Sequence, residues 1–244
     1  MGSTGSSKSD SQYVNAPSND ENDISGVATF PDETDGWNVA RDTARDWFAN
    51  SENSNYTEWV QGLTDPERVA VAFYTDSGYD DLNRDLYETP WDEMSDNLKR
   101  QASNLYQAIN KFELNQAIEV TRITRANFIF PNVSGRADES YFYVDTVRKA
   151  LEDNPYKQFN GFQSASTGYK PVFGGNLVIH YTIPAAKGVG AWVDPISENS
   201  GEREFVINTN AVVKFDPSSV RLEDGIIHVN AQWLGQAQDQ AFGK

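Results

Sequence analysis

The 244-residue chain has no cysteine and only two histidines, His180 and His228. Disulfides and thiol nucleophiles are therefore excluded, and the usual Cys/His zinc cages cannot be built. Basic residues are scarce: 20 Lys and Arg stand against 36 Asp and Glu, a formal charge of −16. Wrapping nucleic acid needs a cationic surface that displaces counterions, and docking on anionic lipid needs one too, so neither partner fits. No apolar run approaches the ~20 residues of a membrane helix. The N-terminus also lacks the basic and apolar regions of a secretory leader, which leaves the compartment open. Nucleotide fingerprints are missing as well. No Gly-x-Gly-x-x-Gly follows a strand and opens a helix, there is no Walker-type phosphate loop, and Ser164 is not in a Gly-x-Ser-x-Gly elbow.

What is present is ample core material, with 12% aromatic residues. Residues 1–35 are the exception. They are rich in Ser, Asn, Asp and Gly, and they read as an acidic tail that buries too little to order itself. Residues 36–235 read as a single domain, helical over 36–112 and β-rich over 115–235, followed by a short C-terminal tail at 236–244. In the helical part, Trp37, Ala40, Ala44, Trp47 and Phe48 share a face. Asp65-Pro66 reads as an N-cap followed by the first helical residue, opening a helix that stops before Gly78. Leu98, Ala102, Leu105, Ile109 and Phe112 mark a long amphipathic helix. The period then changes to the alternation of strands at Ile118-Glu-Val-Thr-Arg122. Further strands are expected over 159–166, 177–183, 189–193, 204–207, 212–215 and 226–234. Helices first and then mostly antiparallel strands is an α+β order.

One short segment carries chemistry. In Gly201-Glu-Arg-Glu-Phe-Val-Ile207, Glu202 and Glu204 are two apart at a strand start. Strand geometry would point both to one face, about 6.6 Å apart. Two carboxylates so placed suit two tasks, one stabilising a sugar cation and the other taking a proton from an incoming nucleophile. Taken alone, the tripeptide also reads as an ordinary solvated strand end. His180 and His228 sit inside apparent strands and read as structural.

Two further fragments stand in order before it. Ile118 to Arg122 reads as a strand ending in arginine, and Gly161-Phe-Gln-Ser-Ala-Ser-Thr167 as a strand ending in small hydroxyl residues. The order Arg, Ser-x-Ser, Glu-x-Glu resembles the bacterial mono-ADP-ribosyltransferase toxins of the R-S-E class. In the helical part, Tyr74-Thr-Asp-Ser-Gly-Tyr79-Asp-Asp-Leu-Asn83 looks like the matching segment of the binary actin-modifying toxins and their C3-like relatives. The resemblance spans about 36–235. It implies the ADP-ribosyltransferase fold, with a helical lobe packed on a two-sheet, mostly antiparallel β core.

It also implies roles for individual residues. Arg122 would bind the NAD diphosphate, with Arg125 as the competing candidate; Ser164 would fix Glu204; Ser166 and Thr167 would support the nicotinamide pocket. Glu204 would grip the nicotinamide ribose and stabilise its cation. Glu202 would act on the acceptor, since a Glu at that position goes with arginine acceptors in this family. Tyr74 and Asn83 would contact the adenosine half. Tyr169 and Phe173 would pack on the cofactor from the loop 168–176. Trp192 either opens the loop that contacts the acceptor or is simply core. NAD is implied as co-substrate, and no metal is implied.

The activity implied is transfer of ADP-ribose from NAD to an arginine of a target protein, actin or another, after secretion or delivery into a host cell. Whether a separate delivery component takes part stays open. An NAD glycohydrolase and a non-enzymatic module of a toxin complex or phage particle are the alternatives. Three departures from the family stand out. Thr121 lies where an aromatic is common, Ala165 replaces a Thr, and the acidic tail has no counterpart.

Overall fold

The computed structural model describes residues 26–32, 36–169, 174–199 and 201–237. Five helices come first: α1 (Trp37–Ala49), α2 (Tyr56–Gly62), α3 (Asp65–Phe73), α4 (Tyr79–Glu88) and α5 (Asp96–Asn110). The start of α3 lies one residue earlier than Asp65-Pro66 suggests. Thr64 is the N-cap, because Glu67 reaches back to accept its N–H at 2.8 Å and forms a capping box. Lys111 closes this end of the helix by pairing with the buried Glu67 at 2.6 Å. Residues Tyr74–Gly78 do not break the chain between α3 and α4. They form a π-type turn, kinked at Asp76. Wide turns of this kind occur often at functional sites, and this one delivers Tyr74 inward.

The strands are β1 (Ile118–Thr124), β2 (Tyr156–Phe159), β3 (Gln163–Thr167), β4 (Leu177–Ile183), β5 (Gly190–Trp192), β6 (Glu204–Ile207), β7 (Ala211–Phe215), β8 (Arg221–Glu223) and β9 (Ile226–Gln236), with short helices α6 (Ala126–Ile129) and α7 (Val144–Asp153) between them. The α+β, mostly antiparallel architecture expected from the sequence is the one observed. Its strands join in one continuous hydrogen-bonded path, β2-β7-β9-β4-β1-β3-β6-β5, rather than separating into two sheets. Among the strands of the described residues, β4 and β9 are the one parallel pair in this path. The single run expected over 159–166 is two strands at different places in the path. The chain turns at Asn160-Gly161, where a Cβ on Gly161 would come within 2.5 Å of the Asn83 side chain.

Helices and sheet meet in an aromatic seam. Phe48 of α1 stacks on Trp192 of β5 with ring centroids 4.7 Å apart, and Trp59 of α2 meets Phe112 edge-on at 5.3 Å. Each such pair adds roughly 0.5–1.5 kcal/mol beyond the area it buries. Most of the tail expected over 1–35 lies outside the described residues. Residues 26–32, however, pack on the domain. The Ala28 and Glu119 backbones are joined at 2.9 Å, and Phe30 is buried against Trp47 and Phe48. Phe30 supplies the apolar contact that composition alone did not show. No helix among the described residues is long and apolar enough to cross a membrane.

Candidate active site

Register places the polar residues. In the antiparallel pairs Thr121 lies opposite Ser166, and Ser166 lies opposite Glu204, so these three share a face across β1, β3 and β6. Ser164, two residues before Ser166, shares that face, and its side chain hydrogen-bonds Glu204. The Ser164 Oγ is also 3.3 Å from the Tyr74 hydroxyl, which accepts from the Asn83 Nδ2 at 3.4 Å. When Glu204 is ionised, Ser164 donates to it and Tyr74 donates to Ser164. The expected residues Tyr74, Asn83, Ser164 and Glu204 therefore form one chain of contacts joining the helical part to the sheet.

Glu204 is the chemically unusual member. It is buried, and one of its oxygens, Oε2, has no hydrogen-bond partner. Burial pushes its pKa from an ordinary 4.5 up to about 7. The charges of Glu202 and Asp194 add to that rise, while the Ser164 bond and the Arg122 charge pull against it. A buried carboxylate with a raised pKa and an unpartnered oxygen is the kind of group that marks a candidate functional site.

Arg122 is half-buried on β1, and its Nη1 donates to the Ser164 carbonyl at 2.8 Å. Arg125, the competing candidate, caps α6 and is exposed. Arg122 is thus tied to the strand that carries Ser164, whereas Arg125 stands apart from it.

Glu202 corrects one expectation. It does not share a strand face with Glu204, because β6 begins only at Glu204 and the residue between them, Arg203, has a φ of 55°. A left-handed backbone at a residue with a Cβ costs roughly 1–2 kcal/mol, and it turns Glu202 out of the strand. Glu202 is half-buried there. Its pKa is raised by burial first and then by the Asp194 charge.

Two other expected residues fall elsewhere, and a third is not among those described. Trp192 is fully buried and stacked on Phe48, so it is core and does not offer a surface to an acceptor. Tyr169 does not face Glu204. It stacks on His180 at 4.5 Å and hydrogen-bonds Glu223 and Arg221 at 2.7 and 2.6 Å. Phe173 lies outside the described residues. Ser166 and Thr167 are buried. The Ser166 hydroxyl has no partner, whereas Thr167 donates its N–H to the Arg203 carbonyl at 3.0 Å.

The two histidines lie side by side, with Nε2 of His180 2.9 Å from Nδ1 of His228. Burial first and the neighbouring His180 next hold the His228 pKa down to about 4, so it is neutral at ordinary pH. Among the described residues, no group of three or more His, Cys, Asp or Glu could hold a metal ion. Sequence reasoning missed Asp194, a buried carboxylate that accepts the backbone N–H groups of Gly201 and Arg203 at 2.8 and 2.6 Å. Its only signal was the turn-forming Asp194-Pro195 pair seven residues before Gly201.

A family model of the ADP-ribosyltransferase exoenzymes matches residues 49–230. No curated protein matches the chain in sequence. Solved structures do share its fold. Plx2a, an ADP-ribosyltransferase toxin from Paenibacillus larvae, superposes with a TM-score of 0.67 at 19% identity, covering 80% of this chain and 96% of that one. The Clostridium limosum C3 exoenzyme gives 0.69 at 14% identity, covering 85% and 97%. BECa, the ADP-ribosylating toxin of a C. perfringens binary enterotoxin solved with NADH, gives 0.64 at 20%. There the match covers 79% of this chain and 48% of that one.

Proposed function

The chain belongs to the ADP-ribosyltransferase exoenzyme family, and on that footing we propose that it transfers one ADP-ribosyl group from NAD to an arginine of a target protein, releasing nicotinamide. The observation that carries this reading is Glu204, a buried carboxylate poised near neutrality with one oxygen free. That oxygen suits a ribose hydroxyl of NAD, and Arg122 beside it suits the diphosphate. Tyr74 and Asn83 brace Ser164 from the helical side. Phe173, by resemblance, packs on the cofactor.

As the bond between nicotinamide and ribose breaks, its electron pair leaves on nicotinamide and positive charge grows on the sugar. The Glu204 carboxylate, fixed by Ser164 before the reaction, meets that charge without reorganising. A free guanidinium, with a pKa of about 12.5–13.8, attacks poorly until it loses a proton. Glu202, held outside the strand next to Glu204, takes that proton as the guanidino nitrogen bonds to the ribose. Its raised proton affinity favours this task. Arginine is preferred as the acceptor because Glu rather than Gln stands at position 202. The net charge of −16 favours a target with a basic patch around that arginine. By the resemblance to the binary actin-modifying toxins, actin is one candidate and another protein with an accessible arginine is the other, reached after secretion or delivery into a host cell.

Incubating the chain with labelled NAD and agmatine tests the reading. The expected products are nicotinamide and ADP-ribosylagmatine, with a smaller yield of free ADP-ribose from hydrolysis, nicotinamide equalling the sum of the other two. NAD cleavage with no agmatine product would contradict the arginine acceptor.

A further inference from the structure

Two carboxylates two positions apart serve different partners only if the backbone sends them different ways. If β6 simply extended through residue 202, both would enter the same dry face and compete for one proton. The chain avoids this with the left-handed Arg203. One oxygen of Asp194 accepts the N–H of Gly201 and that of Arg203, which bracket Glu202. The Arg203 carbonyl accepts the Thr167 N–H at 3.0 Å, and the Arg203 Nη1 donates to the Pro31 carbonyl at 3.0 Å. Asp194 is itself registered to β6, because the preceding Val193 N–H donates to the Glu204 carbonyl at 3.0 Å. The other end of the loop is pinned to the helical part. Glu198 N–H donates to Thr75 Oγ1 at 3.1 Å, and Asn199 Nδ2 donates to the Thr75 carbonyl at 2.7 Å. Thr75 is the neighbour of Tyr74, which contacts Ser164.

We propose that Asp194 is a positioning residue for the acceptor step: its buried carboxylate locks the left-handed turn that holds Glu202 beside Glu204 yet outside the strand. The proposal rests on the assignment of Glu202 to the acceptor. Asp194 acts through the backbone and through Glu202, and two further titratable groups feel its charge, Glu204 and the Tyr56 hydroxyl. The Asp194 charge also supports the raised proton affinity of Glu202.

The test compares Asp194→Asn and Asp194→Ala in the full chain. Both are assayed for the ratio of agmatine modification to NAD hydrolysis, and the Asn variant also for the Glu202 midpoint in a 13C carboxyl titration. An amide oxygen still accepts both N–H groups but carries no charge. Asp194→Asn is therefore expected to keep the ratio within about threefold of the parent. It should also lower the Glu202 midpoint, moving the acid limb of transfer to lower pH, because removing a neighbouring negative charge makes Glu202 easier to ionise. Asp194→Ala loses the two acceptances, and the ratio should shift at least about tenfold toward hydrolysis. An Ala variant with the parental ratio, or an Asn variant that shifts the ratio as far as the Ala variant does, would overturn the proposal. If the parent chain cleaves NAD but never modifies agmatine, the arginine reading on which the proposal rests fails instead.

Discussion

Glu204→Gln is expected to lose nicotinamide release and arginine modification together, each by at least about 100-fold, while the chain becomes more stable above pH 7. The kinetic part follows from where the charge sits. A preorganised group facing developing charge in a dry site is commonly worth 10²–10³ in rate, and the amide removes a full negative charge while keeping the shape. Both reactions fall because both pass through the same sugar cation. The stability part has the opposite sign. Burial raises the Glu204 pKa from 4.5 to about 7, so the fold prefers the protonated form. Below about pH 4.5 the group is protonated in folded and unfolded chains alike and exacts nothing. As pH rises from there to 7, stability is lost, by about 3 kcal/mol in all at 1.36 kcal/mol per pKa unit. Glutamine mimics the neutral form and removes that loss. Nicotinamide release and urea unfolding at pH 5 and pH 8 check both halves. A variant that is inactive and less stable at pH 8 would mean that Glu204 supports the fold rather than straining it.

Glu202→Gln is expected to separate the two activities. Transfer to agmatine should fall by about 100-fold or more, within the 10²–10⁴ typical of a lost general base. NAD hydrolysis should stay within a few-fold of the parent, since water needs less help than a guanidinium and Glu204 is untouched. Loss of the negative charge at 202 also removes one of the contributions that raise Glu204, so hydrolysis should extend to slightly lower pH. Parallel measurement of ADP-ribosylagmatine and free ADP-ribose gives the ratio. Equal loss of both products would assign Glu202 to the cation rather than to the acceptor.

The two substitutions together state the physical logic of the site, which is strain concentrated where chemistry is needed. The fold holds a charge it would rather neutralise at Glu204 and a left-handed backbone it would rather relax at Arg203. It offsets both through the aromatic seam of Phe48, Trp192 and Phe112 and through the backbone bonds around Asp194. Strain of this kind persists only where surrounding contacts over-determine it.

Periodicity was enough to order helices before strands, because alternation and helical spacing are local; the grouping of Arg122, Ser164 and Glu204 came from the resemblance to the R-S-E class, since no local rule joins residues on three separate strands. The failures have local causes too. Nothing in Glu-Arg-Glu signals a left-handed residue, since that conformation usually selects Gly or Asn, and here distant partners impose it on Arg203. Asp194 was invisible because its two acceptances are backbone contacts made seven and nine residues away. Trp192 could be read two ways until Phe48, 144 positions earlier, was found against it. Tyr169 went astray because its partners, the two histidines and the Arg221–Glu223 pair, come from β4, β8 and β9, and no spacing rule joins them. Thr64 displaced Asp65 as the helix cap only because Glu67 folds back to it, a signature that the Asp-Pro pair masked.

The central claim is that Glu204 holds its proton almost to neutrality and must shed it for the sugar cation to form. A 13C titration of the Glu204 carboxyl, read beside the pH dependence of nicotinamide release at low NAD, addresses it most directly. The account predicts one shared midpoint near 7, with release rising as the carboxyl ionises. A carboxyl that titrates near 4.5, or a release rate that stays level between pH 5 and 8, would contradict it.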